Sequence, residues 1–167
     1  MHEQSTKFEF QTSSPEEMKT LAKTLAETLG GGSVLGLVGP LGAGKTTFVQ
    51  GVALGLSAQK PFRVKSPTYA LWHAYPTDPV LHHIDLYRLG EVEEVYAMGI
   101  DAAFEDEAAL ICVEWADRAP GLLGPDAIWL HFPPNADEAR KIIIELPQGF
   151  KGAANQALQR ALGPYKC

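Results

Sequence analysis

Val34-Leu35-Gly36-Leu37-Val38-Gly39-Pro40-Leu41-Gly42-Ala43-Gly44-Lys45-Thr46-Thr47 decides how this chain is read. Five strand-forming residues run into Gly39-x-x-x-x-Gly44-Lys45-Thr46, the spacing of a phosphate-binding loop. Gly42 and Gly44 allow backbone turns that a side chain would obstruct, so that consecutive amides can point at phosphate oxygens. A helix starting near Lys45 adds its positive dipole end to the same spot. Lys45 supplies a mobile cation for the β- and γ-phosphates, and the Thr46 hydroxyl suits one position of an octahedral Mg²⁺. A chance glycine-rich turn is the plain alternative. The apolar strand before the loop and the apolar helix after it (Phe48, Val49, Val52, Leu54, Leu56) supply the context that favours a nucleoside triphosphate site. Gly39, Gly42, Ala43, Gly44, Lys45, Thr46 and Thr47 are the expected nucleotide contacts.

The 167 residues suit one domain, residues 1–167, with a full core. A composition 46% hydrophobic and 20% charged fits a soluble globular protein. The net charge of −6 argues against a domain that grips nucleic acid by itself, because phosphate neutralisation needs a basic footprint. Cys112 lies in an apolar run and Cys167 is the last residue. Such a pair makes no disulfide framework and suits a reducing cytosol. No charged region followed by an apolar one opens the chain, and no apolar run approaches ~18–20 residues. The expectation is a soluble cytoplasmic protein with no membrane association.

Outward from the loop, Phe8 and Phe10 alternate with polar residues as in a short strand. Ser14-Pro15-Glu16-Glu17 reads as a capping box before a helix carrying Met18, Leu21, Ala22, Leu25 and Leu29, stopped by Gly30-Gly31-Gly32. The loop-feeding strand covers 34–38 and its helix 45–56, with a polar tail to Lys60 closing the unit. Tyr69–Tyr75 and Val80–Ile84, joined by Pro76-Thr77-Asp78-Pro79, predict an antiparallel hairpin. Short helical segments follow around Val92–Met98 and Ala102–Phe104, separated by Gly99. Ala109–Val113 reads as a strand buried on both faces. Ala127–Phe132 and Lys141–Leu146 read as two more strands, and Lys151–Leu162 as a C-terminal helix. The predicted fold is α/β: a mixed parallel and antiparallel sheet with helices packed on it.

A phosphate loop needs an acidic partner at the end of a hydrophobic strand to hold Mg²⁺. Two strands here end in carboxylates, Asp85 and Glu114. Either could be a solvated residue at a strand exit. Glu114 is the preferred metal candidate, because its more apolar strand is expected beside the loop-feeding strand. Asp85 could orient water or bind metal through water. Thr68, in Ser66-Pro67-Thr68-Tyr69, stands where nucleotide switches place a γ-phosphate-sensing threonine; spacing alone slightly favours a polar turn. His73 and His131 read as strand residues, and His82 or His83 could approach the site. No His/Cys group has zinc spacing, and no Gly-x-Ser-x-Gly elbow occurs.

Together, Gly39–Thr47, Ser66-Pro67-Thr68-Tyr69, His83-Ile84-Asp85-Leu86-Tyr87-Arg88 and Glu114-Trp115 resemble the TsaE family, ATPases of bacterial tRNA threonylcarbamoyladenosine biosynthesis. All four blocks stand in the family's order, and the resemblance covers roughly residues 8–146. It implies a three-layer, P-loop NTPase-like α/β sandwich with helices on both faces, and ATP with Mg²⁺ as ligands. It also implies weak ATP hydrolysis alone and action with the TsaB–TsaD pair, whose TsaD member transfers threonylcarbamoyl to adenosine 37 of tRNAs. On this resemblance TsaE resets that pair between turnovers, and tRNA is met only through the partners.

By motif matching, Thr46 and Glu114 hold Mg²⁺, Lys45 clamps phosphate, and Asp85 is the second essential carboxylate. Thr68 is the switch-like residue, and Trp115 is a packing or nucleotide-proximal aromatic. Where the family usually continues with Pro and an acidic or amide residue, this chain has Ala116-Asp117. Thr12, in the loop to Ser14, and Arg140 are expected near the adenine. Two other classes stay open: a small-molecule kinase, disfavoured because only five arginines are scattered through the chain, and a nucleotide-dependent binding module with incidental hydrolysis. No Asn-Lys-x-Asp guanine-reading motif occurs.

Overall fold

A computed structural model describes residues 5–58, 62–67, 70–134, 139–150 and 152–166. The chain runs β1 (Thr6–Thr12), α1 (Pro15–Leu29), β2 (Ser33–Val38), α2 (Lys45–Leu54), β3 (Ser57–Ala58), β4 (Trp72–Tyr75), β5 (Thr77–Asp78) and β6 (Leu81–Asp85). It continues through α3 (Glu93–Ala97), β7 (Leu110–Glu114), α4 (Pro120–Leu123), β8 (Ile128–His131), β9 (Arg140–Leu146) and α5 (Gly152–Leu162). Short 3-10 turns cover Ile100–Glu105, Ala116–Arg118 and Gly163–Tyr165.

Seven strands form one sheet in the order β1-β9-β8-β2-β7-β6-β4. The four inner strands β8, β2, β7 and β6 are mutually parallel. Antiparallel strands flank them, β4 on β6 at one edge and β9 then β1 at the other. All five residues of β7 and all five of β6 are buried, as parallel strands covered on both faces should be. The expected hairpin is present, pairing Trp72 with Ile84 and Tyr75 with Leu81. Its first strand starts only at Trp72, because Leu71 takes a left-handed φ of 57°, which no strand accommodates. Tyr69 lies outside the described residues. Between the hairpin strands, β5 pairs with β3 in a two-stranded ribbon. That ribbon was not predicted, since two-residue strands leave no periodicity to detect.

Layers form on both faces. On one face α1, α2 and α5 pack over a core that includes Phe10, Leu21, Leu25, Phe48, Val52, Leu110, Ile142 and Leu158. On the other, α3, α4 and the turns between them cover a second core around Ile84, Leu86, Val95, Ile100, Val113 and Leu123. The result is a three-layer sandwich around a mixed sheet. Phe48 of α2 meets Phe132 edge-on with ring centroids 5.7 Å apart, a pair worth about 0.5–1.5 kcal/mol beyond its burial. It ties the helix after the phosphate loop to the end of β8.

Helix α1 starts as the capping residues predict, with one shift. The Ser14 hydroxyl accepts from the Glu17 amide at 3.1 Å. The Glu17 carboxylate reaches past Ser14 to the amide of Ser13 at 2.6 Å and its hydroxyl at 2.7 Å. The helix ends at Gly30, with φ 65°. Its small residues allow α2 to come close: a Cβ on Gly51 would stand 2.5 Å from the Lys19 carbonyl oxygen and 2.7 Å from the Ala22 methyl. Only glycine fits there.

Candidate nucleotide and metal site

Parallel strands open toward ligands at their carboxyl ends, and the chain concentrates its chemistry there. From Val38 the backbone turns through Gly39–Gly44 into α2. Gly44 holds φ 104° and Gly42 φ 76°, both in the region that favours glycine. The first helical hydrogen bond of α2 runs from the Phe48 amide to the Gly44 oxygen at 2.9 Å. The amides of Lys45, Thr46 and Thr47 therefore precede the helix's own ladder and are left for an anion.

Strand alternation delivers both carboxylates to this mouth. Leu110 and Cys112 of β7, and Leu81 of β6, point into the core under α2. Two residues beyond Cys112 and four beyond Leu81, Glu114 and Asp85 share that face and pair in register across β7 and β6. Glu114 also stands in register with Leu37 of the loop-feeding strand, the adjacency expected of it. Its carboxylate accepts from the Thr46 hydroxyl, with Oε1 at 2.9 Å and Oε2 at 3.1 Å. Oε2 also meets His83 Nε2 at 2.5 Å. Glu114 is 3% exposed and His83 fully buried. Asp85 Oδ1 accepts from the Tyr87 amide at 2.9 Å, and Oδ2 accepts from the Ser66 hydroxyl.

Lys45 Nζ donates to the Gly39 and Pro40 carbonyls at 2.6 and 2.7 Å and lies 4.3 Å from the centre of the Trp115 ring. Burial pushes its ammonium below the ordinary lysine value, while Glu114, Asp85 and Asp117 pull the other way. Trp115 follows Glu114 in a left-handed backbone, φ 57°. This turn brings its ring between Lys45, Tyr87 at 5.0 Å and the Arg118 guanidinium at 5.3 Å. The departure Ala116-Asp117 forms a 3-10 turn with Ala116 fully buried, so the carboxylate before it stays in place.

These groups enclose a cleft of about 420 Å³ lined by Gly42, Gly44, Lys45, Thr46, Thr47, Ser66, Asp85, Tyr87, Arg88, Glu114 and Trp115, among others. Gly39 and Ala43 form the loop behind that lining. Thr68 lies outside the described residues. Thr12 and Arg140 face each other in register on β1 and β9, at the same end of the sheet but not among the residues lining the cleft. The Thr12 hydroxyl is buried without a hydrogen-bond partner among the described residues. Sequence reasoning missed Ser66 and Leu71 as lining residues, and left His83 as one of two possibilities. His83 could have been singled out by its position two residues before Asp85, on the same face of the same strand.

The donor set fits Mg²⁺. Thr46 and Glu114 offer hard oxygens within hydrogen-bond distance of each other, and Asp85 adds a second carboxylate on the next strand. Among the described residues no group of three or more His, Cys, Asp or Glu side chains forms a metal cage. Mg²⁺ needs none, since it binds through one or two protein ligands plus phosphate and water.

Comparison with known proteins agrees with this architecture. Residues 12–142 match the family described as Threonylcarbamoyl adenosine biosynthesis protein TsaE. A Bacillus subtilis protein named tRNA threonylcarbamoyladenosine biosynthesis protein TsaE is 36% identical over 135 residues, covering 80% of this chain and 82% of that one. The proteins of the same name from Nostoc and Aquifex aeolicus are 41% and 40% identical, each over 63% of this chain. The match spans 65% of the Nostoc protein's length and 74% of the Aquifex protein's. The crystal structure of Bacillus subtilis YdiB superposes with a TM-score of 0.72 at 29% identity, covering 94% of this chain and 97% of that one.

Proposed function

This chain belongs to the TsaE family, and on that premise we propose that it is an Mg²⁺-dependent ATPase of tRNA threonylcarbamoyladenosine biosynthesis, working in the cytoplasm with the TsaB–TsaD pair. The observation that carries the reading is the convergence in one cleft of the loop amides, Lys45, the Thr46–Glu114 contact and Asp85. The names of the relatives supply the pathway, and ATP rather than GTP rests on the family.

In this reading the loop amides and α2 N-terminus bind the phosphates, and Lys45 swings from the Gly39 and Pro40 carbonyls to the β- and γ-oxygens. Thr46 and Glu114 hold Mg²⁺, which when bound neutralises charge developing on the transferred phosphoryl group. Asp85 is held by Ser66 and the Tyr87 amide, an orientation suited to positioning the attacking water or a metal-bound one. Thr68 keeps the switch-like role that the family resemblance gives it. Thr12 and Arg140 approach the base. The net charge of −6 leaves tRNA to the partners.

No arginine finger is assigned: Arg88, which lines the cleft, could act in cis, or a partner could supply one. On the second alternative hydrolysis should be slow for the isolated protein and faster with TsaB–TsaD. The test is ATP turnover with Mg²⁺, with and without the pair. An isolated protein working at ordinary kinase rates, ~1–100 s⁻¹, or turnover indifferent to the pair, contradicts the proposal.

A further inference from the structure

His83 is fully buried on β6, and among the described residues its polar contact is Nε2 with Glu114 Oε2 at 2.5 Å. Its other ring nitrogen, Nδ1, has no hydrogen-bond partner among the described residues. Cys112 stands opposite it on β7 and His73 on β4, and the Tyr75 ring lies 6.5 Å away. A buried polar ring with one satisfied nitrogen is unfavourable to the fold by itself. Its one satisfied atom grips the carboxylate that Thr46 grips from the other side.

We propose that His83 is a positioning residue for Glu114. Resting on the nucleotide-site reading above, this assigns the imidazole the task of fixing the carboxylate rotamer from behind. Glu114 sits on the last residue of β7, where the chain turns sharply into the left-handed Trp115. Its side chain can reach other staggered rotamers once the restraint is removed. Nε2–H donating to Oε2 leaves Oε1 directed at the Thr46 hydroxyl, so both metal-side oxygens come from fixed elements, β7 and α2. Outer donors that orient a ligating carboxylate commonly set metal affinity without touching the metal. His83 reaches the site from a third element, β6, so the metal side of the cleft is sensitive to the packing of β6 against β7.

The test compares His83→Gln, whose amide can place a donor near the Nε2 position, with His83→Asn, which is too short, and with His83→Leu, which has none. The readout is ATP affinity with Mg²⁺ and with a chelator, together with kcat and KM for hydrolysis. Mg²⁺ affinity of the nucleotide complex should fall about 10–100-fold in His83→Leu and His83→Asn. Chelator-condition ATP affinity should stay near native, and His83→Gln should recover most of the loss. Loss of rate should appear in kcat with KM for ATP nearly unchanged at saturating metal.

If His83→Leu fails to fold, the Gln and Asn pair carries the comparison, since both keep a buried amide. Equal Mg²⁺ response in all folded variants overturns the inference while leaving the nucleotide reading intact. Equal loss in Gln and Asn overturns it also, showing that only ring shape matters. Native protein whose ATP affinity ignores Mg²⁺ overturns the site reading and this inference together.

Discussion

Glu114 receives the Thr46 hydroxyl from α2 and the His83 imidazole from β6, so its charge can be separated from its shape. In Glu114→Gln the amide oxygen can still accept from His83, and its nitrogen can donate to the Thr46 hydroxyl, which rotates to accept. Folding should survive, and the thermal midpoint should move little. Mg²⁺-dependent hydrolysis should drop at least about tenfold, checked by steady-state turnover over a Mg²⁺ series. Full activity in that variant removes Glu114 from the metal. At this scale the sequence was informative wherever a backbone requirement writes itself into residue type. Gly44 must adopt φ 104°, and a carboxylate ends each of two apolar strands. It was silent on the Ser66 hydroxyl that meets Asp85 and did not choose between His82 and His83. Ser66–Asp85 and His83–Glu114 join residues 19 and 31 positions apart, and only strand order and register bring them together.

The helices test the reading by stability. Ser14 caps α1 through the Glu17 amide, and Ser14→Ala should lower unfolding free energy by about 0.5–2 kcal/mol, measured by urea titration. Glu17 adds a pH signature. Hydrogen bonds from the Ser13 amide and hydroxyl hold its carboxyl below the ordinary range. The folded form therefore binds its proton less readily than the unfolded chain, and the stabilisation is present above the ordinary carboxylate value. It disappears as the pH falls through the lowered one. The stability gap between native protein and Glu17→Gln should accordingly close on acidification. A gap that persists unchanged into acid contradicts the cap geometry.

Gly51 addresses the α1–α2 contact. Alanine is ordinarily the better helix former, yet at Gly51 its methyl would meet the Lys19 backbone at 2.5 Å. Gly51→Ala should destabilise by roughly 1–3 kcal/mol, read by thermal unfolding; a stabilised variant would show that the helices are not in this contact. Helix α1 was legible because its apolar spacing and its cap agree. The β3–β5 ribbon and the α4 turn were not, since two or four residues carry too little pattern against the tertiary contacts that form them.

Across the whole molecule, the sheet order brings four separate stretches of the sequence to one end of one sheet, and the two cores on its faces hold that end rigid. The mixed α/β class was legible because continuous apolar runs mark buried parallel strands and alternation marks the outer ones. The order of strands was not, because nothing local states that β7 inserts between β2 and β6. No helix among the described residues is long and apolar enough to cross a membrane. On the proposed function, this sheet end binds Mg²⁺ and a nucleoside triphosphate through the loop and Glu114. The decisive test is calorimetric titration of ATP into the purified protein, with Mg²⁺ or with a chelator, repeated on Lys45→Ala. The prediction is saturable binding near one nucleotide per chain, strengthened by Mg²⁺ and lost in Lys45→Ala that still melts cooperatively. No heat of binding in the native protein, or undiminished binding in Lys45→Ala, would contradict it.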